Sequence, residues 1–125
     1  MARKRNDPRR ELTKTALIEA AEELFADHGI ENVSLSQIGE AVGSDNNAVV
    51  TYYFGSKAGL LRAIYEYRIP ALEARRGELL DAADAAGMGE DIFTLLHAQW
   101  APIFEQRSAS GKPSYAGLLA SISQS

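Results

Sequence analysis

The sequence predicts an all-α protein, on three observations. Alanine is abundant and only four of the 125 residues are proline, a composition that favours helix. Apolar residues recur three and four apart along most of the chain, the spacing of one helix face. No stretch keeps the strict alternation of a strand. Hydrophobic residues make up 46% and aromatics 8%, enough for a real core in one domain, or in one small domain plus part of another.

Residues 1–9 read as a flexible basic arm, with Pro8 near its end. The first fourteen residues hold Arg3, Lys4, Arg5, Arg9, Arg10 and Lys14 against Asp7 and Glu11, a balance of +4 on a chain whose net charge is -4. A basic arm on an acidic body can face phosphate locally while the body stays soluble. Arg9 and Arg10 are the candidate phosphate contacts nearest the folded part. The bland reading of such a run is a solvated tail.

A first helix is expected over about 10–28. Leu17, Ala20, Ala21, Leu24 and Phe25 lie three or four apart, with Leu12 and Ala16 nearby, and predict its buried face. Glu19, Glu22 and Glu23 are assigned to its solvated side. Gly29 supplies the break.

A second helix is expected over about 34–42. Ser34 is a good N-cap and Gln37 stands at the capping-box spacing. Leu35, Ile38, Ala41 and Val42 face a core. Gly43, Ser44, Asp45 and Asn46 carry turn chemistry. A third helix follows over about 46–53. Two short helices joined by a polar turn read as a helix-turn-helix, whose second helix enters a DNA major groove. The exposed side of that helix draws on Asn46, Asn47, Thr51 and Tyr52. Asparagine can pair bidentately with adenine and a threonine methyl can touch thymine. A tyrosine hydroxyl can reach phosphate. Val49 or Val50, with Tyr53 and Phe54, should face inward. The bland reading is an ordinary helical pair.

Residues 10–56 thus form the expected DNA-binding domain, and residues 57–125 a connecting helix and an incomplete C-terminal domain. Ser56 caps the connecting helix. Lys57 sits in its first turn, where the helix dipole disfavours a cation unless a bound phosphate removes the conflict. Leu60, Leu61, Ile64 and Tyr65 make the apolar side. Pro70 should end or kink this helix near Ile69. After Gly87 and Gly89 another helix is expected over 90–106, with Ile92, Leu95, Leu96, Trp100, Ile103 and Phe104 as a broad apolar surface that needs a partner. A last helix spans 114–122. Tyr67, Leu95, His97, Trp100, Ile103 and Phe104 are the candidate lining for an apolar pocket holding a small organic ligand.

There is no cysteine, so disulfides and thiolate metal sites are excluded and a cytoplasmic location is natural. No apolar run is long enough to span a bilayer, and no membrane partner is expected. His28 and His97 stand far apart, with no metal-ligand cluster and no glycine-rich phosphate cradle beside a strand. No catalytic residue, metal or cofactor is expected.

Thr13 to Ile64 resembles the N-terminal DNA-binding domain of the tetracycline-repressor (TetR) family. The segments that carry the resemblance are TALIEAAEELFADHG, VSLSQIGEAVG and TYYFGSKAGLLRAIY. The closing YYFGSK with its leucine pair is the most diagnostic. The stretch SDNNAVVTYYF departs from the common pattern: it is one residue longer, and Thr51 stands where a tyrosine is common. The resemblance implies that Ser34 and Ser36 approach the DNA backbone and that Asn46, Asn47, Thr51 and Tyr52 lie in or beside the recognition helix. It implies that Tyr53 and Lys57 touch or support phosphate, that Gly39 allows close helix packing and that Phe54 is a core residue. It further implies a homodimer on a palindromic operator in double-stranded DNA, with a small organic effector bound by the C-terminal domain. The function expected is a sequence-specific transcriptional regulator, a repressor released by its effector. The rival readings are a helical protein-interaction module and a truncated regulator without productive DNA binding.

Overall fold

The computed structural model describes residues 8–44 and 48–123, and the described residues contain helices and no strand. Six α-helices follow one another: α1 Pro8–His28, α2 Leu35–Ala41, α3 Val49–Phe54, α4 Lys57–Ala85, α5 Ile92–Glu105 and α6 Ser114–Ser123, with a 3₁₀ turn at Ile30–Asn32 after α1. All seven residues of the expected basic arm that precede α1, Arg3, Lys4 and Arg5 among them, lie outside the described residues, as do Asn46 and Asn47.

α1 is the central post. Leu17, Ile18, Ala21 and Phe25 are buried on it and meet Ile38 of α2, Val50 of α3, Leu60 and Ile64 of α4, and Tyr115 and Leu118 of α6. Each large apolar side chain fully buried in such a core stabilises by about 2 kcal/mol. The buried face is rotated from the one expected. Leu12 is 69% exposed and Ala16 is exposed, while Ile18 and Glu22 turn inward. The reason is that α1 is packed on several sides, by α2, α4 and α6. A stripe counted on one three-and-four spacing underestimates such a helix.

Glu22 is therefore not on a solvated side. It is 0% exposed and receives two hydrogen bonds from the buried Arg68 of α4, at 2.8 Å from Nε and 2.6 Å from Nη2. Such a fork-on-carboxylate pair is directional as well as charged. Arg68 also donates to Gln106 Oε1 at 3.2 Å, just past α5, and lies over the Tyr67 ring at 5.2 Å. Its pKa is raised, first by the bonds to Glu22. Glu19 and Glu23 are also occupied. Glu19 accepts from the Tyr67 hydroxyl and the Ala109 amide, each at 2.6 Å, and Glu23 accepts from the Ser108 and Ser110 hydroxyls. One carboxylate-rich flank of α1 thus holds α4 and the loop between α5 and α6. Burial and the Glu19 carboxylate push the Tyr67 hydroxyl up to about 12.

α4 runs as one helix through Pro70, so that of the two expectations, an end or a kink near Ile69, the end does not hold. Proline deletes one amide donor and crowds the preceding turn. Both flanks of the proline are anchored elsewhere: Arg68 on Glu22 before it, Arg75 on Glu105 at 2.9 Å and Arg76 on the Gln99 carbonyl at 3.0 Å after it. Pro102 likewise sits inside α5, buried. α6 packs chiefly on α1 rather than on α5. Gly117 permits this approach, because a Cβ there would lie 2.8 Å from the Ala26 Cβ. The α5 stripe stays open: Phe93 is 78%, Trp100 54% and Phe104 59% exposed.

Removing one member of a buried ion pair strands the other charge, at a cost of about 3–5 kcal/mol. Glu22→Ala should therefore lower unfolding free energy by about that amount in urea denaturation. The double change Glu22→Leu with Arg68→Met should recover most of the loss. Equal losses in the single and double variants would show that the pair carries no special weight.

Candidate nucleic-acid interface

The helix-turn-helix is built from local chemistry. Ser34 Oγ accepts the Gln37 amide at 3.1 Å, and Gln37 Oε1 accepts the Ser34 amide at 2.7 Å. This reciprocal box satisfies two amides that the first turn of α2 leaves unpaired. The helix ends in a turn in which the Gly43 amide donates to Glu40 O at 2.9 Å and the Ser44 amide to Gly39 O at 3.0 Å. Gly43 has φ 81°, a conformation that residues with a Cβ rarely adopt. Gly39 is buried on α2.

α3 begins at Val49, later than expected, and no side chain caps it at Ala48. Val50 points into the core, and Val49, Tyr53 and Phe54 pack partly against it. Thr51 and Tyr52 are left on the exposed side. Arg10 of α1 reaches this helix. Its Nη2 donates to the Tyr52 hydroxyl at 2.6 Å, and the guanidinium lies 5.8 Å from the ring centre. Tyr52 and then Tyr53 hold the Arg10 guanidinium firmly protonated. The two tyrosine rings meet edge to face at 5.0 Å. Arg10, Thr51 and Tyr52 therefore form one exposed cluster, with Arg9 exposed on the adjoining turn of α1.

The other candidates surround it less closely. Ser36 is half-buried on α2. Ser34 is exposed and its oxygen is engaged in the cap. Lys57 follows the Ser56 cap, whose hydroxyl accepts the Gly59 amide at 3.0 Å. The Lys57 ammonium bends back to donate to the Ile30 carbonyl at 2.8 Å and lies 6.0 Å from the Phe25 ring centre. The helix-dipole conflict expected at this lysine is thus met inside the protein, by a backbone carbonyl of the 3₁₀ turn.

The expected ligand residues do not converge. Trp100, Phe104 and His97 stand exposed on α5, and Ile103 turns to the core. Tyr67 lies on α4 in a cleft against α1, with Lys14, Thr15 and Glu66. Its hydroxyl is taken by Glu19 of α1. Sequence reasoning also passed over the contact of Arg10 with Tyr52, which is 42 positions away. Its only signal is an arginine pair at the start of a helix, which says nothing of a partner so distant.

Residues 17–64 match the sequence model of the bacterial regulatory proteins of the tetR family. No curated protein matches the chain.

The junction that aims α3 makes a sharp prediction. A Cβ on Gly59 would lie 2.0 Å from the Phe54 carbonyl oxygen, a backbone atom that closes α3. Gly59→Ala should push α3 off the first turn of α4 and cost about 1–3 kcal/mol, the usual range for overpacking. Thermal unfolding, with amide exchange across 49–60, measures both effects; an unchanged midpoint would contradict the tight junction.

Proposed function

We propose, on the match of residues 17–64 to the sequence model of the tetR-family bacterial regulatory proteins, that the exposed face of α3 reads operator sequence and that α1 clamps the flanking phosphates. The observation that carries this reading is the hydrogen bond of Arg10 to Tyr52 at 2.6 Å. It sets a permanent positive charge from α1 beside an aromatic hydroxyl on the recognition helix. Arg10 and Arg9 serve as phosphate contacts. Tyr52 keeps its own hydroxyl proton for a phosphate oxygen, since it accepts from Arg10. Thr51 offers a methyl and a hydroxyl to base edges. Asn46 and Asn47 are assigned to the same role from their place in the sequence.

Ser34, Ser36 and Tyr53 flank this surface as backbone contacts. Ser34 accepts in its cap and still has a hydroxyl proton to donate. Lys57 has two further ammonium protons besides the one given to Ile30. In this reading a homodimer sits on a palindromic operator, with two recognition helices in successive major grooves. It represses by occupying the site, and a small organic effector releases it, in the cytoplasm. The boundaries proposed are a basic arm over 1–9, of which Pro8 and Arg9 already belong to α1, the DNA-binding domain over 10–56 and a regulatory part over 57–125.

One observation favours a second reading. The α5 stripe of Ile92, Phe93, Leu96, Trp100 and Phe104 is exposed, and contiguous apolar surface of that kind suits a protein partner.

Binding of the chain to duplexes selected from a random library tests the first reading. Replacing Arg10 by Ala should weaken all selected duplexes alike and reduce the slope of log affinity against log salt by about 1. Thr51→Ala should instead change which duplexes are selected, by about 1–3 kcal/mol at the affected position. If neither change alters binding, α3 is not the reading element.

A further inference from the structure

The outer flank of α1 carries a groove that the DNA reading leaves unused. It has a volume of about 580 Å³, within the range of small-molecule sites. Its floor is apolar, made by Leu12, Ala16 and Ala20 of α1 with Ala41 and Val42 at the end of α2. Leu12 is 69% exposed there, a large apolar side chain that nothing else in the fold covers among the described residues. The far rim is formed by Glu19 and Glu23, with Ala109 and Ser110 of the loop behind them.

The rim is charged and held. Glu19 accepts from the Tyr67 hydroxyl and the Ala109 amide, and Glu23 from the Ser108 and Ser110 hydroxyls. Those donors are neutral. They fix the carboxylates without cancelling their charge, and the serine hydroxyls first, with a smaller pull from the Lys112 ammonium, hold the Glu23 carboxyl below the usual carboxylate range. No lysine or arginine is among the residues lining the groove. Lys112, close by, pairs with Asp27 at 3.5 Å. An apolar trough that ends on two fixed, like-charged carboxylates one helical turn apart is complementary to one kind of ligand.

We propose that this groove binds a lipophilic primary ammonium ion, its body on Leu12, Ala16 and Val42 and its head between Glu19 and Glu23. Three ammonium N–H donors suit two carboxylates, and such charge-assisted bonds are stronger than neutral ones. The ligand would touch α1, the end of α2 and the loop before α6 together, so it would brace the helix-turn-helix against the later helices. The site stands whether or not the chain reads DNA.

Tryptamine is a suitable probe, and tryptophol is its neutral counterpart, with a hydroxyl in place of the ammonium. Calorimetric titration of the full chain, without DNA, should show one saturable site for tryptamine and at least about tenfold weaker uptake of tryptophol. Glu19→Gln with Glu23→Gln should weaken tryptamine by a similar factor, since glutamine still accepts from the loop but carries no charge. Ala16→Phe, an exposed position, should fill the trough and abolish uptake. If the double variant loses its helical circular dichroism, the two single Gln variants and Ala16→Phe decide the matter. Three results would overturn the proposal: no saturable uptake by the unaltered chain, equal uptake of tryptophol, or uptake that survives Ala16→Phe, which would place the probe on the open α5 stripe. Because no duplex is present, failure to bind DNA leaves this outcome untouched.

Discussion

The pairing of Glu22 with Arg68 is the constraint on which the other contacts depend. A carboxylate with no exposed surface has to be matched, because an unpaired buried charge costs several kcal/mol. The match comes from 46 residues away, on the long helix α4. It fixes the rotation of α4 about its own axis, since the planar guanidinium bonds through two nitrogens at once. With that rotation set, Leu60 and Ile64 fall into the core beside Leu17 and Phe25, and Gly59 meets the end of α3. Past the pair, Gln106 and the 108–112 loop are drawn to the same flank of α1. α3 and the later helices therefore share one reference, α1.

The parts of the fold governed by neighbours in sequence were legible in it. The Ser34–Gln37 box, the Ser56 cap, the breaks at Gly29 and Gly43 and the bounds of α2 and α6 all rest on contacts within four or five residues. Long-range matters were not legible. Glu22 looks like any glutamate on an alanine-rich helix until Arg68 is brought to it. Pro70 looks like a stop until both flanks of α4 are tied to other helices. The start of α3, expected near 46, has no capping contact to mark it: the described helix begins at Val49 with no side-chain cap.

The candidate interface was half legible for the same reason. Thr51 and Tyr52 could be placed on an exposed face by helical spacing alone, and they are exposed. The partnership of Tyr52 with Arg10, and the turning of Lys57 to the Ile30 carbonyl, join elements far apart in the chain. The aromatic residues of α5 were grouped as a pocket because they are aromatic and close in sequence. Helix geometry instead spreads them along an open stripe, while Tyr67 is claimed by Glu19. The trough beside α1 left no sequence signal: it is made where Leu12 fails to be buried.

The central claim is that α3, held by α1 and α4, is the surface presented to DNA. The most direct measurement is the ¹H–¹⁵N spectrum of the chain titrated with a duplex it selects, assigned residue by residue. The account predicts that the largest shifts fall on 49–54, on Arg9 and Arg10 and around the Ser34 cap, with the exposed stripe of α5 silent. Shifts concentrated on Phe93, Trp100 and Phe104, with α3 unmoved, would contradict it.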